Sequence, residues 1–313
     1  MNFLDLFAGI GGFRLGMERA GHKCVGYVEI DKYARKSYQA IHDTEGEWTA
    51  HDITKVTDDE WRELRGTVDV ICGGFPCQSF SIAGKRRGFE DTRGTLFFDI
   101  ARAAKQIKPR ILFLENVKGI LSHNKGQTFA TILRALHELG YDAEWQVCNS
   151  KNHGVPQNRE RVFIIGHLRG ESGRKIFPFG GNDTTVNNKQ PKQIVVLAGK
   201  LPGSHEQNSR VYGTEGVSPT LTTMQGGGQE PKIKVKEATK KGFADAFPGE
   251  EQAVVENDFR IRKLTPRECW RLQGFPDWAF DRAAEVNSNS QLYKQAGNSV
   301  TVNVIEAIAN RLD

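Results

Sequence analysis

Short apolar blocks alternating with helical stretches set the pattern of this chain. Residues 3–6 form a mostly apolar block, which predicts a buried strand. The glycine-rich turn from Phe7 to Gly12 comes next, then a helical stretch from Phe13 to Ala20 that Gly21 stops. Val25 to Val28 predicts a second strand with Glu29 at its tip, and Asp52 and Ile53 belong to a third element. The apolar run from Val68 to Cys72 feeds Gly73, Gly74, Phe75, Pro76 and Cys77. Residues 94–107 read as a helix broken before Pro109, since proline lacks the amide hydrogen and clashes with the preceding turn. The run from Arg110 to Leu114 then delivers Glu115, Asn116 and Val117, and a helix over 126–139 stops at Gly140. Residues 143–148 and 161–167 predict two more strands. Strands and helices in this alternation predict an α/β fold whose open sheet holds ligands at its carboxyl edge.

From about Leu168 to Arg262 the texture changes to short, turn-rich strands with glycine clusters at 180–181, 213–216 and 226–228. A smaller, irregular β-rich lobe is expected there. Residues 168–260 hold 13 Lys and Arg against 11 Asp and Glu, so the lobe is not a basic clamp. Its Gln207, Thr220, Thr222, Thr223 and Gln225 are side-chain types that read DNA grooves and are equally ordinary in loops. Thr265, Pro266 and Glu268 open the next helix in capping-box form. The stretch Gln295 to Val300 predicts a second glycine turn before the final helix.

Composition narrows the class only a little. With 313 residues, 38% hydrophobic and 26% charged, the chain is an ordinary globular protein with room for a large core and a smaller lobe. A net charge of +5 and a pI near 8.9 permit nucleic acid as a partner without demanding it. No apolar run approaches the ~20 residues of a membrane span, and the N-terminus lacks the basic region and cleavage site of a signal peptide. The five cysteines are scattered and none forms a C-x-x-C pair. Neither a zinc site nor a disulfide framework is indicated, and a reduced, cytoplasmic setting is expected.

Candidate chemistry sits at the strand ends. A thiol projected from the carboxyl edge after Gly73, Gly74, Phe75 and Pro76 is either a packed small residue or a nucleophile, and Cys77 alone does not choose. Phe7, Gly9, Ile10, Gly11 and Gly12 resemble a nucleotide-type cradle, but the spacing departs from G-x-G-x-x-G. Glu29, about 20 residues past the glycines, stands where ribose hydroxyls are bound or caps the next helix. Asp52 and Ile53 pair a polar with an apolar contact, as an adenine with its exocyclic amine requires. Residues 83–89 are a glycine-flanked basic segment that serves as a solvated loop or as a lid reaching phosphates. Glu115, at the end of an apolar strand, either caps the next segment or is a desolvated acid with a raised pKa. Gln157, Arg159 and Arg161 alternate at period two, which gives either a salt-bridged edge or an array of donors on one face.

Taken together and in order, F-A-G-I-G-G, E-I-D, D-I, G-F-P-C-Q, E-N-V, Q-N-R-E-R and Q-A-G-N-S-V closely resemble the DNA cytosine-5 methyltransferases of bacteria and their phages. The resemblance runs from residue 3 to about 167 and resumes from about 262. It implies a Rossmann-like, S-adenosylmethionine-dependent methyltransferase domain over 1–167 and 262–313. It also implies a target recognition domain over 168–261. Cys77 resembles the nucleophile that adds to cytosine carbon 6, Glu115 the residue holding nitrogen 3 and the exocyclic amine, and Arg161 the arginine facing the ring carbonyl, with Arg159 in support. By the same resemblance S-adenosyl-L-methionine lies over Phe7, Gly9, Ile10, Gly11 and Gly12, with Glu29 and Ile30, Asp52 and Ile53, and Pro76, Leu96, Asn298 and Val300 closing around it. The cytosine must be flipped out of the duplex, with Ser81 and Arg87 as phosphate contacts and Gln207 and Thr220 as further DNA contacts. The implied partners are double-stranded DNA and a restriction endonuclease acting on the same site; a monomer with no membrane contact and no metal is expected. The rivals are a tRNA cytosine-5 methyltransferase, disfavoured by the well-formed lobe and the lack of Cys-Phe-Thr, and a catalytically silent DNA-binding relative.

Overall fold

The computed structural model describes residues 1–76, 96–171, 174–178, 195–201, 206–224, 229–236 and 259–312, with only the main chain of 206, 207 and 236. Its centre is a seven-stranded sheet built from β1 (Asn2–Leu6), β2 (Lys23–Val28), β3 (Trp48–Ala50), β4 (Val70–Gly74), β5 (Ile111–Val117), β6 (Tyr141–Asn149) and β7 (Glu160–Leu168), in the order β3-β2-β1-β4-β5-β7-β6. The strands β1 to β5 pair in parallel, whereas β7 is antiparallel to both β5 and β6. Strand order reverses at β1, with β2 on one side and β4 on the other. In open α/β sheets that switch point opens a crevice at the carboxyl edge.

The apolar runs of these strands are continuous because both faces of the sheet are covered. On β5, Leu112 and Leu114 share one core with Leu4, Leu6 and Ile71 and with residues of α3 (Asp58–Glu63), α4 (Leu96–Ile107) and α5 (Gln127–Glu138). Ile111 and Phe113 face the other way, with Phe3, Val70 and Cys72, towards Phe13 and Met17 of α1 (Gly12–Arg19) and Val304, Ile305 and Ile308 of the last helix, Val302–Ala309. The C-terminal helix thus packs with α1 on one face of the central sheet. Each of its fully buried aliphatic side chains contributes about 1.5–3 kcal/mol. Among the described residues no helix is long and apolar enough to cross a membrane.

A second, four-stranded sheet is made by β8 (Leu197–Lys200), β9 (Arg210–Gly213), β10 (Lys232–Lys236) and β11 (Phe259–Lys263), ordered β11-β10-β9-β8. It occupies the turn-rich stretch, and a short helix, α6 (Glu206–Ser209), precedes β9.

Several elements exceed the expectation from sequence. Helix α2 (Lys32–Ile41) begins at Asp31, whose carboxylate accepts from the amides of Tyr33 and Ala34, and α3 opens with a Thr57–Glu60 capping box. Strand β5 continues through Glu115 to Val117, so Glu115 belongs to the strand and does not cap the next segment. After α7 (Pro266–Leu272) come α8 (Asp277–Val286), α9 (Asn289–Asn298) and α10, the last helix. The stretch from Gln295 to Asn298 is therefore the last turn of α9, not a glycine turn. Gly297 is there for close approach: a Cβ on it would fall inside the carbonyl oxygen of Thr222, in the small lobe.

At the end of α2, His42 is buried beside Tyr38 with ring centroids 4.6 Å apart, and its Nε2 lies 3.4 Å from the Ile10 carbonyl. Burial, helped by the Arg14 charge, pushes its pKa from 6.5 down to about 3. The unfolded chain therefore takes a proton that the folded ring refuses. The stability His42 contributes is fully present above pH 6.5 and is lost as pH falls towards 3. We expect His42→Gln to flatten the acid limb of the Tm–pH curve over that window. An unchanged slope in thermal melts at stepped pH contradicts this.

Candidate active site

A cavity of about 390 Å³ opens at the carboxyl edge beside the switch point, within the size range of small-molecule sites. Each wall follows from the topology. The turn after β1 brings Phe7 to Gly12, the turn after β4 brings Phe75 and Pro76, and the end of β5 brings Glu115. Because β7 is antiparallel, its beginning rather than its end reaches this edge, and Val117 pairs with Arg161. Helix α9, ending at Asn298, and the two residues after it, Ser299 and Val300, close the remaining side.

One corner holds a fixed carboxylate. Glu29 is 9% exposed; its Oε2 accepts from the Gly9 amide at 2.8 Å and its Oε1 from the Asp31 amide at 2.7 Å. These bonds fix the carboxylate and leave lone pairs towards the cavity. Burial raises its pKa, while the two amides oppose that shift. Arg35 holds the same turn by donating to the carbonyls of Glu29 and Ile30 at 2.8 Å each. From α9, Lys294 Nζ meets Asp31 Oδ2 at 2.7 Å, and Gln295 accepts from Ser37 at 3.0 Å and donates to the Tyr33 carbonyl at 3.1 Å. The two ends of the chain are joined across this corner.

The opposite wall holds an acid among arginines. Glu115 Oε1 lies 3.0 Å from Arg161 Nε, and Gly74, its register partner on β4, has no side chain where the carboxylate sits. Burial raises the Glu115 pKa, and the nearby charges of Arg161 and Arg159 only partly offset it. A carboxyl group shifted in this direction holds a proton more readily than a free one and is suited to donate it. Next to it, Asn116 donates to the Phe75 carbonyl at 2.8 Å and so fixes the main chain entering Pro76.

Arg159 is 3% exposed and donates to the carbonyls of Leu221 (3.2 Å), Gly297 (3.1 Å) and Ser299 (2.8 Å). Burial, with Arg161 beside it, lowers its pKa to about 9. Gln157 accepts from the Leu221 amide at 3.2 Å and donates to the Leu272 carbonyl at 2.9 Å. Of the three alternating donors, only Arg161 pairs with a carboxylate of the cavity; Gln157 and Arg159 are spent on main chain.

Of the residues singled out in the sequence, Phe7, Gly9, Ile10, Gly12, Glu29, Pro76, Glu115, Arg159, Arg161, Asn298 and Val300 line this one cavity. Gly11 turns towards His42, whose ring leaves no space for a Cβ. Ile30 is 67% exposed beside Glu29. Asp52 caps a short helical turn by accepting from Thr54, and Ile53 is buried in the core with Leu96 packed against it. None of these five is in the cavity wall. Thr220 lies in the small lobe, where its hydroxyl donates to the Asn158 carbonyl at 2.6 Å. Cys77, Ser81 and Arg87 lie outside the described residues, as does the side chain of Gln207. Gln291, Lys294 and Gln295 were missed. They recur with Asn298 at helical spacing, a signal hidden by reading 295–300 as a turn.

The chain matches the family model for C-5 cytosine-specific DNA methylases over residues 1–313. It is 39% identical to the type II methyltransferase M.HpaII of Haemophilus parainfluenzae, over 99% of this chain and 88% of that protein. With M.HhaI of Haemophilus parahaemolyticus it shares 36% identity, over 99% and 93%. Among solved structures, S. pombe Dnmt2 methyltransferase has the same fold at 20% identity with a TM-score of 0.69, covering 99% of this chain and 97% of that one. The protein belongs to the C-5 cytosine-specific DNA methylase family, enzymes that methylate cytosine in DNA.

Proposed function

We propose that the protein methylates carbon 5 of cytosine within a specific duplex DNA sequence, with S-adenosylmethionine as donor. The observation that carries this reading is the convergence of the Glu115–Arg161 pair with Glu29 and the glycine turn on a single cavity. The cavity suits the donor: a fixed carboxylate for ribose hydroxyls at Glu29, apolar surface at Phe7, Pro76 and Val300, and no pyrophosphate fingerprint. Ile30, outside the cavity wall but exposed beside Glu29, adds apolar surface there. Bound there, the donor supplies an electrophilic methyl group.

The chain's own residues do the rest. Cytosine carbon 5 is too weak a nucleophile until the ring is activated, so the Cys77 thiolate adds to carbon 6 and opens an enamine. Glu115 gives nitrogen 3 its proton as the sulfur–carbon bond forms, and the upward shift of its pKa favours the protonated form that this step needs. Arg161 holds the ring carbonyl while compensating Glu115. Once carbon 5 carries the methyl group it loses its proton, and the bond to Cys77 breaks. Both ring faces are needed, so the base leaves the duplex stack. Residues 168–261 act as the recognition domain, with Ser81, Arg87, Gln207 and Thr220 contacting DNA, and residues 1–167 and 262–313 form the catalytic body.

Incubated with donor labelled in its methyl group, the protein is expected to label duplex DNA at carbon 5 of cytosine and leave tRNA unlabelled. Label in tRNA alone overturns the reading. Duplex DNA synthesised with 5-fluorocytosine should trap a covalent adduct that survives denaturing electrophoresis, because fluorine cannot leave carbon 5 as a proton does. That adduct should vanish in Cys77→Ser. An undiminished adduct in the variant assigns the nucleophile elsewhere.

A further inference from the structure

The turn between α9 and α10 is held from outside the cavity by one residue, Gln273, just past the end of α7. Gln273 is fully buried. Its Nε2 donates to the Ala296 carbonyl at 2.8 Å, its Oε1 accepts from the Thr301 hydroxyl at 3.0 Å, and its main-chain carbonyl accepts from the Val302 amide at 2.9 Å. These contacts fall on either side of Asn298, Ser299 and Val300, which line the cavity. Thr301 stands at the N-cap of α10, where a threonine hydroxyl ordinarily accepts from an amide of the first turn, yet it makes no such bond. A carboxamide oxygen can only accept. The Thr301 proton therefore goes to Gln273, and the Ser150 hydroxyl, 2.8 Å away, donates to Thr301. Ser150 is fixed in turn by its amide, which donates to the Arg159 carbonyl at 3.0 Å. The helix forgoes its side-chain cap, and the hydroxyl is engaged by the turn instead.

We propose that Gln273 and Thr301 are positioning residues that set the affinity for the methyl donor without touching it. This deepens the proposed function and rests on the reading of the cavity as the donor site. The reason is preorganisation. A wall that its ligand must first order loses that ordering cost from the binding affinity. Here the carboxamide of Gln273 spans the turn and orders it before any ligand arrives. Removing the carboxamide leaves the Ala296 carbonyl without its donor, and removing the Thr301 hydroxyl leaves Gln273 Oε1 without its proton. A buried polar group left unpaired favours any rearrangement that returns it to water or to a new partner, and the segment free to rearrange is the one that carries Asn298 and Val300.

The test uses the full chain and S-adenosylhomocysteine as probe, with calorimetry well below the melting temperature of each variant. Gln273→Met, close in volume, is expected to weaken probe binding by about tenfold, the scale of one buried polar group left unpaired. Thr301→Val should weaken it in the same direction, and Thr301→Ser, which returns the hydroxyl, should recover most of that loss. The double variant of Gln273→Met with Thr301→Val should bind no more weakly than Gln273→Met alone, because the two side chains share one bond. Melting temperatures that fall while probe affinity holds would leave both residues a structural role only and overturn the proposal. A Thr301→Val loss that serine does not recover overturns it too, as does a double variant whose losses add. Should Gln273→Met not fold, the Thr301 pair decides. A wild type that binds no S-adenosylhomocysteine sinks the donor reading itself and this inference with it, whereas a wild type that binds while the variants bind equally well sinks this inference alone.

Discussion

Everything at the working edge of this protein depends on keeping a carboxyl group out of water at the end of β5. Removing a carboxylate and a guanidinium from solvent costs several kcal/mol per ion, and leaving one of a buried pair without its partner costs about 3–5 kcal/mol. The fold meets this demand with Arg161, delivered across the sheet to Glu115. Only an antiparallel neighbour can do so from the beginning of a strand, and β7 is that neighbour. The one reversed strand thus has a chemical consequence. It sets a cation beside the acid while Gly74 on the parallel side leaves the carboxylate room.

A second constraint comes from the split body. The first helix and the last share one core through Phe13, Met17, Ile305 and Ile308. The chain must therefore leave the sheet after β7, build the small lobe and return. The return path is fastened at the cavity: Lys294 to Asp31, Gln295 to Ser37 and Tyr33, and Arg159 to Gly297 and Ser299. Cavity wall and fold closure use the same contacts, so the cavity is complete only when the last helices are home.

Much of this was legible in the sequence. Strands buried on both faces announce themselves as continuous apolar runs, and glycine turns or acids at their ends point to the carboxyl edge. Glu115 could be suspected of a raised pKa from its place after Leu112, Phe113 and Leu114. The caps at Asp31 and at Thr57 with Glu60 were readable signals for α2 and α3 that short, polar helices made easy to pass over. Helix α9 was harder, because a glycine in its last turn looks like a breaker until the Thr222 carbonyl supplies its reason. The partners of Gln157 and Arg159 were beyond reach for a physical cause: they are main-chain groups of Leu221, Leu272, Gly297 and Ser299, and a carbonyl oxygen carries no residue identity.

The most direct test of this account is the titration of Glu115 itself. With carboxyl-labelled glutamate and the Glu115→Gln variant to assign its resonance, carbon NMR follows the group through its protonation. The account predicts a midpoint above the ordinary 4.5, because burial outweighs the pull of Arg161 and Arg159. A midpoint at or below 4.5 would mean that the arginines win, leaving Glu115 an ion with no proton to give, and it would contradict the central claim.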